Sequence, residues 1–183
     1  MGGDAVAVVW ATRAALAGNL KELIRIDHEV LCRKLNEETR TMTTRMGKKL
    51  AEMGSDITEN PLVIGWRDAI KDGRTPGTYP VSLAVQFVVM GLSTQEELDE
   101  GMLGEVLTVH QYGVAMSILN ASLRLMRITH IDIQRVLYSL TREFDAMCRT
   151  AMRTSLDQMS NYAPMTDILA ANHVKAHVRL FMS

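Results

Sequence analysis

Apolar residues along this chain recur at helical spacing, and no segment alternates apolar and polar positions between turn signals as a strand does. A first helix is expected from about Asp4, placed to cap it, to Ala17, with Gly18-Asn19 as the stop. Asn19 caps a second helix, in which Leu20, Leu23, Ile24, Val30 and Leu31 form an apolar stripe broken once, by Asp27. The pattern runs on through Leu35, Met42, Met46, Leu50 and Met53, with a kink or break near Asn36 to Glu38, and Gly54-Ser55-Asp56 ends it. Pro61 opens a short helix to Lys71, closed by Asp72-Gly73. Pro76-Gly77 marks a turn, and Pro80 opens a helix, Val81 to Met90, that is apolar nearly all round and therefore central. Ser93 or Thr94 with Glu96 and Glu97 resembles a capping box. Helices follow through Met102–Met126 and Ile131–Ser155, the latter with Val136, Leu137, Leu140, Phe144, Met147 and Cys148 inward. A last short helix begins at Thr166. The expected architecture is all-α, a single-domain bundle of about seven to nine helices.

Composition narrows the class. The 183 residues are 47% hydrophobic, enough for one cored domain. Twenty basic and 21 acidic side chains nearly cancel, so no basic field invites nucleic acid. The window Met102–Met126 holds Glu105, His110, Gln111, Asn120 and Arg124, too many polar groups for a bilayer span, and is read as a buried helix of a soluble protein. The start lacks the basic region of a signal peptide, and Val6 stands where myristoylation needs Ser or Thr. Cys32 and Cys148 lie far apart without metal-ligand spacing, which fits a reducing compartment. A cytoplasmic protein away from membranes is expected.

Catalytic patterns are missing: there is no phosphate-binding Gly-rich loop, Cys-x-x-Cys, His-Glu-x-x-His or Gly-x-Ser-x-Gly. Glu37 and Glu38 are adjacent and diverge on a helix, so they do not form an acid–base pair. His173 and His177 share a helix face at i,i+4 spacing and are weak candidates for a metal. Exposed histidines near a helix end are the plainer reading. Arg135, Arg142 and Arg149 recur every seven residues, either as a docking stripe or as a solvated face. Met42, Met46 and Met53 at helical spacing are read as core filling ahead of an adaptable partner surface or a copper site.

Four short motifs in order point further. Met165-Thr166-Asp167-Ile168-Leu169-Ala170-Ala171-Asn172-His173 with Arg179-Leu180-Phe181-Met182-Ser183 resembles the ending of the urease accessory protein UreF family. Glu38-Thr39-Arg40 with Met46-Gly47 and Leu50, Tyr79-Pro80-Val81, and Arg124-Leu125 with Gln134-Arg135 are similar to further stretches of that family. Arg127-Ile128-Thr129-His130 departs from the family's Pro-x-Gly-Gln, so a differently shaped helix junction is expected there. The family's usual segment ahead of the helix at Asp4 is absent. If that segment covers apolar surface, a hydrophobic patch is expected around the first helix.

The resemblance implies an all-α, usually dimeric adaptor with no catalysis or cofactor of its own. It implies binding to the accessory protein UreD (also called UreH) and recruitment of the GTPase UreG, for nickel insertion into the urease apoprotein. It also implies that residues 172–183 form a partner-binding tail, with Arg179, Leu180, Phe181 and His173 carrying contacts. A helical metal- or ligand-binding module using His173 and His177 is the alternative.

Overall fold

The computed structural model describes residues 3–91, 100–161 and 163–173. Among them the chain forms eight α-helices and no strand: α1 (Gly3–Leu16), α2 (Leu20–Cys32), α3 (Glu37–Thr58), α4 (Pro61–Lys71), α5 (Tyr79–Val89), α6 (Glu100–Leu125), α7 (His130–Arg153) and α8 (Pro164–His173). A 3-10 turn, Leu156–Gln158, links the last two. The all-α expectation holds. The Ser93/Thr94 capping box lies outside the described residues.

Local chemistry sets most boundaries. Asn19, Asn36 and Asn60 each cap a helix by accepting a backbone N–H, from Glu22, Thr39 and Leu62 respectively. Pro61 and Pro80 sit in first turns, where no N–H is needed. The long stripe from Leu20 to Met53 is thus cut into two helices at Asn36.

Helices α1 and α5 make the centre. Val6, Val8, Val9 and Ala11 of α1 are buried, as are Val81, Ala84 and Val85 of α5. Leu23, Ile26 and Val30 from α2, Val63 and Trp66 from α4, and Leu103, Val106 and Leu107 from α6 close around them. Trp66 donates its indole N–H to Ser82 Oγ at 3.0 Å, so the largest buried side chain leaves no orphan donor. The patch expected around the first helix is not there: α1 is enclosed by α2, α5, α6 and α7.

Four further expectations are corrected. Helix α3 does not stop at Gly54-Ser55-Asp56 but continues to Thr58, and Glu59 in a left-handed conformation (φ 48°) ends it. At Gly54 the side-chain amide of Gln86 from α5 occupies the space where a Cβ would stand. Met42, Met46 and Met53 do not fill the core, being 47%, 42% and 48% exposed. The buried face of α3 is made of the small residues Thr43, Gly47, Ala51, Gly54 and Ser55, which let α5 approach closely and turn the methionines outward. The window Met102–Met126 is buried at Leu103, Val106, Leu107 and His110, whereas Tyr112, Val114, Ile118 and Leu125 beyond them are exposed on the half that pairs with α7 as a hairpin. Likewise Val136, Leu140 and Met147 of α7 are not inward, while Leu137, Phe144 and Cys148 are.

Candidate functional site

Three of the four resembling motifs meet at two places. At the first, the start of α3 meets the end of α8. Asn36 accepts the backbone N–H of Thr39 at 2.8 Å and its hydroxyl at 2.7 Å, then donates its amide to Asp167 at 3.0 Å. Two residues on, Glu38 accepts from His173 Nδ1, whose distances to the two carboxylate oxygens are 2.8 and 2.9 Å. Arg40 reaches the Lys34 carbonyl at 3.5 Å. The Glu38-Thr39-Arg40 run therefore caps α3, pins α8 and closes the link from α2. A carboxylate can only accept, so Nδ1 carries the proton.

The second is built on Asp27. Its carboxylate is wholly buried and accepts four hydrogen bonds. Thr75 Oγ1 donates at 2.6 Å, the Gly77 N–H at 2.6 Å and the Thr78 N–H at 2.7 Å, and the Thr78 hydroxyl completes the set. An isolated carboxylate in an apolar interior is untenable, and these donors make it structural. They also fix the loop that launches α5. Gly77 has φ +72°, accessible to glycine without strain. Gly47 lies against the Gly77 and Thr78 carbonyls, where a Cβ would collide with backbone. The Tyr79 N–H donates to Thr43 Oγ1 at 3.2 Å, and partial burial raises the Tyr79 phenol pKa above its ordinary value. Met46-Gly47 and Tyr79-Pro80 thus meet across one joint, which holds α3 on α5.

The fourth motif lies at the tip of the α6–α7 hairpin, where Arg124 and Gln134 are exposed on either side of the junction. In the stretch that departs from the family pattern, Thr129 and Asp132 form a reciprocal capping box that starts α7. The hairpin's outer surface carries Ile118, Met126, Ile131 and Tyr138, all at least 60% exposed. Arg135 pairs with Asp132, Arg149 pairs with Asp145, and Arg142 lies 5.4 Å from the Tyr138 ring centroid. Arg135, Arg142 and Arg149 are all exposed, which fits a docking stripe as well as a solvated face.

A cleft of about 310 Å³ opens where α1, α6 and the 160–163 segment meet, lined by Asp4, Lys34, His110 and Asn161 among others. Lys34 pairs with Asp4 at 2.6 Å and is nearly buried. His110 is buried, and neither ring nitrogen has a hydrogen-bond partner among the described residues. Burial holds its pKa below the ordinary histidine value, with Asp4 opposing and Lys34 adding to the shift.

Of the expected tail contacts, His173 is described and is engaged by Glu38; His177, Arg179, Leu180 and Phe181 lie outside the described residues. No group of three or more His, Cys, Asp or Glu placed to hold a metal occurs among the described residues. None of the described helices is long and apolar enough to cross a membrane. Sequence reasoning missed two features. Asp27 reads as a flaw in a stripe, although an acid on an apolar face needs donors and Thr75-Pro76-Gly77-Thr78 offers them. His110 carries no sequence signal beyond a polar residue in an apolar window.

Comparison with known proteins agrees with this geometry. The family model described as UreF matches residues 2–141. Urease accessory protein UreF of Yersinia enterocolitica serotype O:8 is 49% identical over 178 residues, covering 97% of this chain and 74% of the relative. The UreF proteins of Yersinia pestis strain Pestoides F and Yersinia pseudotuberculosis serotype IB match with the same identity and coverage. A family match over most of the chain, together with relatives of this identity, means that the chain belongs to the urease accessory protein UreF family.

Proposed function

We propose that this chain is a non-catalytic adaptor that binds UreD/UreH and recruits the GTPase UreG for nickel insertion into the urease apoprotein. The observation that carries this reading is α8. It holds to the bundle through Asn36–Asp167 and Glu38–His173, while Met165, Ile168 and Leu169 stay 70%, 58% and 62% exposed. A short helix with Asp167 and His173 turned to the bundle and Met165, Ile168 and Leu169 turned to solvent suits a partner's groove. In this reading Leu180 and Phe181 act as anchors for the partner and Arg179 as a charge-assisted donor. His173 serves from within, by fixing the point at which the tail leaves.

The uncovered faces of α6 and α7 supply the apolar area that a homodimer within the complex requires. The protein works in the cytoplasm, with no nucleic acid or membrane as partner. The metal-module alternative gains no observation: Glu38 occupies one nitrogen of His173. Co-purification of UreD/UreH and UreG with the intact chain, and their loss from an Arg179→Ala variant that still folds, is the expected result. Retention of both partners by a chain lacking residues 178–183 contradicts the tail assignment.

A further inference from the structure

The cleft of about 310 Å³ beside α1 and α6 brings together Asp4, Lys34 and His110, from three separate parts of the chain. Its volume falls at the lower end of small-molecule sites, roughly 300–1,000 Å³. Two of the three side chains are almost wholly buried: Lys34 is 5% exposed and His110 4%. The Lys34 ammonium carries three N–H donors, and Asp4 Oδ1 accepts from it at 2.6 Å. No other acceptor for this ammonium occurs among the described residues. His110 adds a donor of its own. Its ring is neutral at neutral pH, and neither nitrogen has a partner among the described residues. Polar groups buried this deeply are normally hydrogen-bonded. The cleft thus offers three unused donors against one ring acceptor and the rest of the Asp4 carboxylate. Ala5, Val114 and Met147 add apolar lining. Excess donors beside a short apolar wall suit an acceptor-only head group on a small hydrocarbon body.

We propose that this cleft binds a small monocarboxylate, its oxygens accepting from Lys34 Nζ and the His110 ring and its hydrocarbon chain lying against Ala5, Val114 and Met147. Asp4 already balances the charge of Lys34, so a second carboxylate calls for another proton in the cleft. Asp4, Lys34 and His110 are the titratable groups lining it among the described residues, and His110 is the one placed to take that proton. A bound carboxylate favours the imidazolium, so binding takes up a proton and tightens as pH falls. A metal ion does not fit, because it would meet the Lys34 ammonium with only one carboxylate and one imidazole to hold it. A phosphate dianion brings twice the charge to balance. Lys34 stands two residues before Asn36, which holds Asp167 of α8, so the ligand would join α6 to the link that carries this joint. The inference concerns the bundle alone and does not rest on the adaptor reading.

Butyrate titrated into the full chain tests it, with the imidazole NMR signals of His110 followed at pH 6 and pH 8 and with butanol and inorganic phosphate as controls. The expected result is a saturable shift with butyrate, several-fold tighter at pH 6, and no saturable shift with either control. By calorimetry, His110→Phe and Lys34→Met are each expected to weaken butyrate binding at least about tenfold. His110→Phe fills the place of the ring without a buried polar atom, so the fold should tolerate it. Absence of saturable butyrate binding, equal binding to the His110→Phe variant, or the same affinity at both pH values overturns the proposal. So does an equal response to phosphate, which assigns the cleft to anions at large. Circular dichroism checks both variants, and if one is misfolded the other decides.

Discussion

Helix α1 carries Val6, Val8, Val9 and Ala11 around its circumference, and α6 carries Val109, Tyr112, Val114 and Ile118 in the same way. Neither has a polar side. In α1 every one of these residues is within 1% of complete burial, because four helices and the 3-10 turn surround it. In α6 Leu103, Val106 and Leu107 are buried in the same core as α1, while Val109 is 50% and Ile118 64% exposed. The difference is one of neighbours, not of sequence. A helix without a polar face needs cover on all sides, and among the described residues α6 receives it only toward its start. Among the described residues, Ile118 of α6, Tyr138 of α7 and Ile168 of α8 stay exposed.

The sharpest way to break the comparison is to place a charge on each helix. Val8→Asp buries an unpaired carboxylate and is expected to cost about 5 kcal/mol or more, leaving little folded protein by circular dichroism. Ile118→Asp, at the lower end of the scale, is expected to shift stability by no more than about 0.5 kcal/mol. The same substitution should nevertheless abolish self-association in sedimentation runs. Equal loss of stability from both substitutions would dissolve the distinction.

Between these extremes lies Asp27. Asp27→Ala leaves the buried donors of Thr75, Gly77 and Thr78 without an acceptor and is expected to cost about 3 kcal/mol in urea unfolding. A smaller, pH-dependent effect belongs to His110, where α6 is still covered. Its pKa is lowered by folding, so the unfolded chain binds the extra proton first. Stability from this group is full above the ordinary histidine pKa and falls as pH drops below about 6.5 toward the folded-state value. Melting curves from pH 7.5 to 5 should show this decline, and a His110→Phe variant should show less of it. The smallest effect is expected from Glu38→Gln. Loss of a half-exposed pair costs about 0.5 kcal/mol, read as faster amide exchange in α8.

The fold was largely legible because its punctuation is explicit. Asn19, Asn36, Pro61 and Pro80 start helices where their chemistry says they should. Which stripe of a helix faces inward was less legible. On α3 the large apolar residues read as core, yet Gly47 and Gly54 hold the inner face, because close packing on α5 is worth more there than methionine bulk. On α6 the sequence marks what is apolar but not how many neighbours arrive to cover it. The resemblance singled out Glu38, Thr39, Gly47, Tyr79 and His173, which the structure places at two packing joints. Their meeting in two joints depends on contacts across more than 30 residues, as in Thr43–Tyr79 and Glu38–His173, which no local pattern encodes. Asp27 was hidden because its donors lie about 50 residues away.

The adaptor reading meets its most direct test in a calorimetric titration of UreD/UreH into the intact chain and into the Leu180→Asp/Phe181→Asp variant. Saturable binding to the intact chain is expected. A weakening of at least about tenfold, or ~1.4 kcal/mol, is expected in the variant at an unchanged melting temperature. Equal affinity for both chains, or no binding to the intact one, would contradict it.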